Sequence, residues 1–342
     1  MKKEWTPPAD WMKITTIDAH SEGEPLRIIT GGFPALSGKT ILAKRQHVRQ
    51  KYDHLRKALA WEPRGHADMY GCILTEPVTK DGTVGVIFFH NEGYSTMCGH
   101  GIIALSTVLI ETGLIETKDA ATELNIDTPA GRVIAVAHRK EGKVIKVSFV
   151  NVPSFVYSMD QKVDVPGIGL VSYDIAFGGA FYAFCRAEDM GLDLSPENNR
   201  ILIDTGLRIK RAIAAESEIR HPIEEELGFL YGTIFVGPAQ DPGHHSRNVC
   251  VFAEGEIDRS PTGTGVSARA ALHYARGEIG IDQPFVVESI LGTCFTGRVS
   301  ATTQFGPYEA VIPEIKGTAH ITGRNEFLID PKDPLKYGFF LR

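Results

Sequence analysis

A cysteine stands directly before a glycine-rich helix start in the segment Cys98-Gly99-His100-Gly101. The first N–H groups of a helix are unpaired and carry a partial positive charge, which stabilises an anion. A free thiol has a pKa of about 8.5, and a helix N-terminus can lower it to roughly 3.5 to 7.5. We therefore expect the Cys98 thiol to have a lowered pKa and to act as a base that removes a proton.

A second segment, Thr262-Gly263-Thr264-Gly265, repeats this helix start at a constant offset of 164 residues. Matching pairs at that offset are Gly99/Gly263, Gly101/Gly265, Ala104/Ala268, Gly113/Gly277 and Ile115/Ile279. Thr262 occupies the position of Cys98, and a hydroxyl does not ionise near neutral pH. The repeat therefore predicts two similar helix starts with a base at one of them only.

Two converging helix starts form a site for a small anion such as a carboxylate. Asp258, four residues before Thr262, could pair with a cationic amine of the ligand, or it could cap the loop that contains it. His100 could donate to the carboxylate or could cap the helix. Cys72, Cys185, Cys250 and Cys294 fit buried, inert thiols.

Several function classes are disfavoured by composition and motifs. The formal charge of −6 and the lack of a basic stripe argue against nucleic acid as a partner. No apolar window long enough for a membrane span and no signal-peptide core occur, so we expect a cytoplasmic protein. The dispersed cysteines and the lack of H-x-x-x-H predict free thiols and no metal site. The G-x-G-x-x-A pattern lacks the hydrophobic strand that a dinucleotide site needs before it.

The elements around these segments predict an α+β fold. Strands are predicted over 13–18, 26–30, 71–74, 84–90, 124–127, 131–137, 144–150, 182–186, 233–236, 249–253, 285–288 and 297–301. One helix is predicted around 48–59, and others over 99–113, 195–215 and 263–277, with Ser195 as the N-cap of the third. A hairpin turn is expected at Gly142. We expect two similar domains, each with a central helix among mostly antiparallel strands, facing each other across a cleft.

Three segments resemble the proline racemase family: DAHSEGEPLRIITGG near the start, NEGYSTMCGHG around Cys98, and DRSPTGTG around Thr262. The resemblance covers most of the chain. It implies a fold like that of diaminopimelate epimerase, with two pseudo-symmetric domains, each a central helix wrapped by a mostly antiparallel sheet. The expected limits are 12–155 and 156–324, and the C-terminal segment from about 325 to 342 could pack back on the first domain.

In the racemases and epimerases of this family, two cysteines flank the α-carbon of the substrate. This sequence keeps Cys98 and has Thr262 at the second position, a combination that resembles the trans-3-hydroxy-L-proline dehydratase branch. The resemblance implies a cofactor-independent hydro-lyase that removes the α-proton and the 3-hydroxyl to give Δ1-pyrroline-2-carboxylate. Carried over by motif, Cys98 and Thr262 are the catalytic positions, and the substrate-binding residues are Gly99, His100, Asp258, Gly263 and Thr264.

Two alternatives remain open at this point. A proline racemase or 4-hydroxyproline 2-epimerase could use Thr262 or a bound water on the second face of the substrate. A non-catalytic protein that binds imino acids is the third possibility. In each case the expected partner is a small imino acid, with no membrane and possibly a second copy of the chain as a homodimer.

Overall fold

A computed structural model describes residues 5–341. Lys2 and Lys3 at the start of the sequence, and Arg342 at the end of the predicted segment 325–342, lie outside the described residues. The first part of the chain contains β1 (Met12–Ser21), β2 (Glu24–Gly31), α1 (Ile41–Lys51), α2 (Asp53–Ala60), β3 (Tyr70–Thr75), β4 (Val84–His90), α3 (Gly99–Glu111), β5 (Ala121–Thr128), β6 (Gly131–Lys140) and β7 (Lys143–Val150). The remainder contains β8 (Ser154–Val165), β9 (Gly169–Phe177), β10 (Phe181–Arg186), α4 (Asn199–Glu216), β11 (Leu230–Gly237), β12 (Ser246–Phe252), β13 (Glu256–Ile257), α5 (Gly263–Ala275), β14 (Phe285–Glu288), β15 (Cys294–Phe305), β16 (Tyr308–Gly317) and β17 (His320–Ile329).

The strand pairing repeats itself completely in the two halves of the chain. In the first half the order is β17-β1-β2-β3-β4-β5-β6-β7, and every pair is antiparallel except β2–β3 and β4–β5. In the second half the order is β8-β9-β10-β11-β12-β14-β15-β16, and every pair is antiparallel except β10–β11 and β12–β14. The duplication inferred from two short segments therefore extends to eight strands on each side.

The last strand of the chain belongs to the first half by its pairing. β17 runs antiparallel to β1 from Met12 to His20, so the chain returns to its starting strand at His320. β16 pairs with both β7 and β8 and joins the two halves into one continuous sheet. A strand that completes the first half is thus supplied by the opposite end of the sequence.

Each half wraps its sheet around one buried helix. In α3 every residue from Gly99 to Ile110 is buried, and in α5 every residue from Gly263 to Leu272 is buried. Helices that are buried on all sides need mostly small or apolar residues, and the charged exception in α5, Arg269, pairs its guanidinium with Ser246 and Asn248. α1 and α2 lie outside this arrangement, where Val48 and Leu59 pack on a smaller core. No helix in residues 5–341 is long and apolar enough to cross a membrane.

Three details differ from the sequence prediction. The single helix expected around 48–59 is two helices, because the backbone leaves the helical region at Tyr52 (φ −129°, ψ 14°) and restarts at Asp53. The helix expected from Ser195 opens as a 3₁₀ turn over Pro196–Asn198, without a side-chain cap from Ser195, and becomes α-helical at Asn199. The strands β8, β9, β13, β16 and β17 were not predicted.

The predicted hairpin between β6 and β7 is confirmed. Glu141 and Gly142 both have positive φ, 52° and 83°, the arrangement of a two-residue turn that matches the twist of paired strands.

Candidate active site

The two glycine-rich helix starts touch each other. A Cβ atom added to Gly99 would lie 2.6 Å from Cα of Gly263, and one added to Gly263 would lie 2.7 Å from Cα of Gly99. Any side chain at either position would push the helices apart, so the glycines allow the N-termini of α3 and α5 to converge. The convergence predicted from the repeat is confirmed.

A narrow cavity of about 20 Å³ lies at this meeting point, enough for roughly one water molecule. All seven site residues predicted from the sequence line it: Cys98, Gly99, His100, Asp258, Thr262, Gly263 and Thr264. The sequence missed six further lining residues: Tyr70, Met97, Tyr182, Tyr231, Cys250 and Phe252. The predicted residues are therefore brought together, and their roles stay predictions.

Cys98 caps the helix that follows it. Its backbone is extended (φ −149°, ψ 108°), and its sulfur accepts a hydrogen bond from the Gly101 N–H at 3.2 Å. The imidazole Nδ1 of His100 lies 3.2 Å from the same sulfur. The sulfur thus has two polar neighbours from its own helix start.

The expected lowering of the Cys98 pKa is wrong for this site. Burial raises the pKa of the thiol well above its usual value, and the charges of Asp258 and Glu24 raise it further. The hydrogen bonds from the Gly101 N–H and the Tyr70 hydroxyl lower the pKa, but they do not offset burial. A helix N-terminus favours a thiolate only where water or other donors also solvate the charge.

His100 is held as a neutral ring. Burial lowers its pKa to about 3, the Arg259 charge lowers it further, and a hydrogen bond to the Pro25 carbonyl acts in the opposite direction. A neutral imidazole carries one N–H donor and one acceptor nitrogen. With the donor on the Pro25 carbonyl, the other nitrogen can only accept a hydrogen bond from a neighbour such as the Cys98 thiol.

Thr262 has an unusual backbone for a β-branched residue. Its φ of 65° and ψ of 91° lie in a region that side chains branched at Cβ rarely adopt. The conformation is held on both sides: the Thr262 N–H donates to Oγ of Ser260 at 3.1 Å, and Nδ2 of Asn248 donates to the Pro261 carbonyl at 3.1 Å. Strain of this kind persists only where the surrounding structure enforces it, and it concentrates at functional sites.

The Thr262 side chain also differs from that of Cys98 in its hydrogen bonding. It does not cap α5. Its hydroxyl is buried near Asp258 and Cys250 and, among residues 5–341, has no hydrogen-bond partner of good geometry. At the two equivalent helix starts, the Cys98 thiol therefore caps α3, whereas the Thr262 hydroxyl does not cap α5.

Asp258 makes the loop-capping contact, the first of the two roles that the sequence left open, while its pairing with an amine of the ligand stays a prediction. Its Oδ1 accepts the Ser260 N–H at 2.7 Å, which is the loop-capping contact, and the residue also lines the cavity. Burial raises the pKa of this carboxyl, and the polar groups of the neighbouring Ser260 and Thr262 lower it. The next residue, Arg259, ties this loop to the first half, because its N–H donates to Oε2 of the buried Glu24 at 2.8 Å.

Aromatic hydroxyls form the remaining polar wall of the cavity. The Tyr182 hydroxyl lies 2.7 Å from Oγ1 of Thr264, and the hydroxyls of Tyr70 and Tyr231 meet at Ser95. No sequence motif identifies these residues, because each lies in or beside an apolar segment that predicts a position in the hydrophobic core. Thr233, two residues after Tyr231 in β11, is not among the residues that line the cavity, and its hydroxyl donates to the Gly206 carbonyl.

Within the described part of the chain, no group of three or more His, Cys, Asp or Glu side chains could hold a metal ion. The five cysteines are all free, as the sequence predicts.

The duplicated sheet and the paired helix starts define a two-domain, sheet-rich protein with one site between its halves. The same architecture occurs in a hydroxyproline epimerase from Agrobacterium vitis with bound trans-4-OH-L-proline, which superposes with a TM-score of 0.93 at 30% identity over 98% of this chain and 96% of that one. The family model described as proline racemase matches residues 16–340. The chain belongs to the proline racemase family.

Among curated relatives, the chain is similar to proteins named trans-3-hydroxy-L-proline dehydratase. One from Colwellia psychrerythraea is 49% identical over 99% of this chain and 97% of its own length. One from Homo sapiens is 44% identical over 96% of this chain and 95% of its own length.

Proposed function

We propose that this protein is a trans-3-hydroxy-L-proline dehydratase, a hydro-lyase that forms Δ1-pyrroline-2-carboxylate and water without a cofactor. The observation that carries this proposal is the unequal pair at the two helix starts, where one cavity is lined by the Cys98 thiol and by the Thr262 hydroxyl, which is a far weaker acid than a thiol. One base removes a proton from one face of the α-carbon and cannot be matched by a second base on the other. The names of relatives at 44 and 49% identity support the same reaction.

The substrate is proposed to bind through both of its charged groups. The N–H groups at the starts of α3 and α5, at Gly99, Gly263 and Thr264, hold the carboxylate. The Asp258 carboxylate pairs with the ring nitrogen, and His100 contacts the carboxylate side. Because the present cavity holds only about 20 Å³, the halves separate to admit the imino acid and close on it.

Chemistry starts at the Cys98 sulfur. The thiolate takes the α-proton, and the C–H electron pair is first delocalised onto the carboxylate as an enediolate-like charge. That pair then forms the C2–C3 double bond as the C3–O bond breaks. The departing hydroxyl takes up a proton and leaves as water, and the cyclic enamine relaxes to the imine. Charge that develops on the carboxylate meets N–H donors already in place, which lowers the barrier more than it strengthens substrate binding.

Three groups could protonate the departing hydroxyl: the Cys98 thiol, a water molecule, or the Thr262 hydroxyl. The buried Thr262 hydroxyl without a well-formed hydrogen bond supports a contact from that side chain to the substrate. Leaving such a group unpaired has a cost of about 1–3 kcal/mol, which a hydrogen bond with the substrate would remove.

Proton NMR in deuterated water tests the proposal. Purified protein is incubated with trans-3-hydroxy-L-proline, with L-proline and trans-4-hydroxy-L-proline in parallel. We expect loss of the ring signals of the 3-hydroxy compound alone, with a pyrroline-2-carboxylate appearing. A 3-hydroxy substrate that stays intact would overturn the dehydratase assignment.

The alternative is a proline racemase or 4-hydroxyproline 2-epimerase, which the similarity to an epimerase structure with bound trans-4-OH-L-proline favours. Deuterium entering the α-carbon of proline or 4-hydroxyproline without dehydration would establish it. Tight binding of an imino acid with neither reaction would instead identify a binding protein.

We further propose a diaminopimelate epimerase-like classification with domain limits of 12–155 and 156–324. The pairing of β17 with β1 supports assigning the C-terminal segment to the first domain, with its return at His320. A cytoplasmic homodimer that needs neither metal nor cofactor stays a prediction, which sedimentation and activity after chelation would check.

A further inference from the structure

A series of three buried hydroxyl groups begins beside the Cys98 sulfur. Tyr70 lines the same narrow cavity as that sulfur and lowers the pKa of the thiol, and its hydroxyl hydrogen-bonds to Oγ of Ser95. Ser95 Oγ lies 2.9 Å from the Tyr231 hydroxyl, and the two tyrosine hydroxyls are 3.5 Å apart. All three side chains are buried, and Ser95 is only 1% exposed.

This series ends at a second, much larger space. A cleft of about 1100 Å³ lies between α1 and α2 on one side and the Phe229 and Lys210 region on the other. Exposed residues such as Arg49 and Glu254 line it, so it communicates with solvent. Tyr231 lines both this cleft and the cavity at Cys98. The hydroxyl series therefore spans the wall between the buried base and solvent.

The Cys98 thiol needs such a route. Burial favours its protonated form, so the proton must leave before the sulfur can act as a base. The adjacent His100 offers no exit, because it is buried and its ring N–H is committed to the Pro25 carbonyl. Serine and tyrosine hydroxyls each donate and accept one hydrogen bond, so a row of them can pass a proton without any member holding a charge for long.

We propose that Tyr70, Ser95 and Tyr231 form a proton relay between the Cys98 thiol and the cleft. The S–H proton passes to the Tyr70 oxygen as the Tyr70 proton passes to Ser95, the Ser95 proton to Tyr231, and the Tyr231 proton to water in the cleft. The balance is one thiolate formed and one proton delivered to water. The inference rests on the proposed function in one respect only, because that function requires the Cys98 thiolate to remove the α-proton.

The relay is complete only when the two halves are together. Tyr70 and Ser95 belong to the first half, whereas Tyr231 lies in β11 of the second half. Closure on the substrate therefore joins the base to solvent at the moment when the thiolate is needed.

Ser95→Ala removes the middle of the relay without touching the cavity lining. We expect kcat to fall about tenfold or more with KM within about twofold of wild type, and the solvent deuterium isotope effect on kcat to rise, because proton transfer becomes rate-limiting. Ser95→Thr keeps a hydroxyl and restores most of kcat. The matched control is Ser106→Ala, which also removes a buried serine hydroxyl, one that bonds only the Ile102 carbonyl of its own helix.

Because the Tyr70 and Tyr231 hydroxyls are also 3.5 Å apart, the second variant is Tyr231→Phe, which removes the last hydroxyl of the series whichever way the proton reaches it. Folded Ser95→Ala and Tyr231→Phe proteins that both keep the kcat and solvent isotope effect of wild type would overturn the relay. If Ser95→Ala does not fold, the Tyr231→Phe result alone decides. A pH jump followed in a stopped flow by the ultraviolet absorbance of the thiolate needs no substrate, and the signal that is lost in Cys98→Ser identifies Cys98. Slower appearance of the Cys98 thiolate in Ser95→Ala and Tyr231→Phe supports the relay and equal rates in both refute it, even if wild type proves not to dehydrate trans-3-hydroxy-L-proline.

Discussion

Gly99→Ala tests whether direct contact between the two helix starts is needed for the chemistry. The added Cβ would lie 2.6 Å from Cα of Gly263, whereas ordinary contacts begin near 3.4 Å, so the helix starts must separate by about 1 Å. Overpacking of this kind typically lowers the free energy of unfolding by about 1–3 kcal/mol.

The same displacement moves the N–H groups that are proposed to hold the substrate carboxylate. A misplacement of about 1 Å can reduce a rate about a hundredfold, and loss of one donor to a developing oxyanion reduces kcat by about 10²–10³-fold. We therefore expect kcat/KM for dehydration to fall by about two orders of magnitude. Dehydration would be followed by NMR and unfolding by thermal melting.

Gly323→Ala is the control for this substitution. Gly323 lies in β17 with nothing within 4 Å of an added Cβ, so both stability and activity should stay at the level of wild type. If Gly99→Ala kept kcat/KM within about threefold of wild type, close approach of the helices would not be what builds the site, and the carboxylate would have to bind elsewhere.

Three further predictions concern the unequal pair of side chains. Because burial raises the pKa of Cys98 and the thiolate is the active form, kcat/KM should increase as pH rises through the neutral and alkaline range, with no plateau at neutral pH. Cys98→Ser should lose about 10²–10⁴-fold in kcat while isothermal titration still detects substrate binding, and near wild-type turnover would show that another group is the base. Thr262→Cys should introduce deuterium exchange or epimerisation at the α-carbon of proline, and an unchanged spectrum would indicate that residue 262 does not face that carbon.

The parts of the fold that could be predicted are those whose signals are local. The helix starts at Gly99 and Gly263 and the turn at Gly142 depend on a few neighbouring residues and were placed correctly. β17 was missed because its hydrogen bonds go to β1, about 300 residues earlier in the chain, and its outer face is exposed and polar. β16 contains Pro313, which lowers any strand prediction made from sequence alone.

The site residues also divide into those that local sequence signals reveal and those that depend on long-range contacts. Cys98 and Thr262 could be found because they flank repeated motifs, whereas Tyr70 and Tyr231 reach the cavity through long-range sheet pairing that no short pattern reveals. The direction of the Cys98 pKa was wrong for a related reason. The helix start is visible in the sequence, but the complete burial that outweighs it depends on the second half closing over the first.

The duplicated fold explains how a one-base site can be built on a scaffold with two equivalent positions. Both halves deliver a helix start to the same point, and both use glycine to let the backbones touch. They differ in what precedes the helix. Cys98 has an extended backbone and its sulfur takes the capping N–H of Gly101, whereas Thr262 is held at positive φ with its hydroxyl free of the helix.

This difference separates the two tasks that elimination requires. The capping contact places the Cys98 sulfur against donors that can stabilise a thiolate once its proton has left. The strained Thr262 backbone, enforced by Ser260 and Asn248, leaves a hydroxyl that does not ionise near neutral pH at the same cavity. In the proposed mechanism, a carbanion formed on the cysteine face has no second thiol to protonate it on the other face. Loss of the 3-hydroxyl then competes only with return of the proton to the face from which it came.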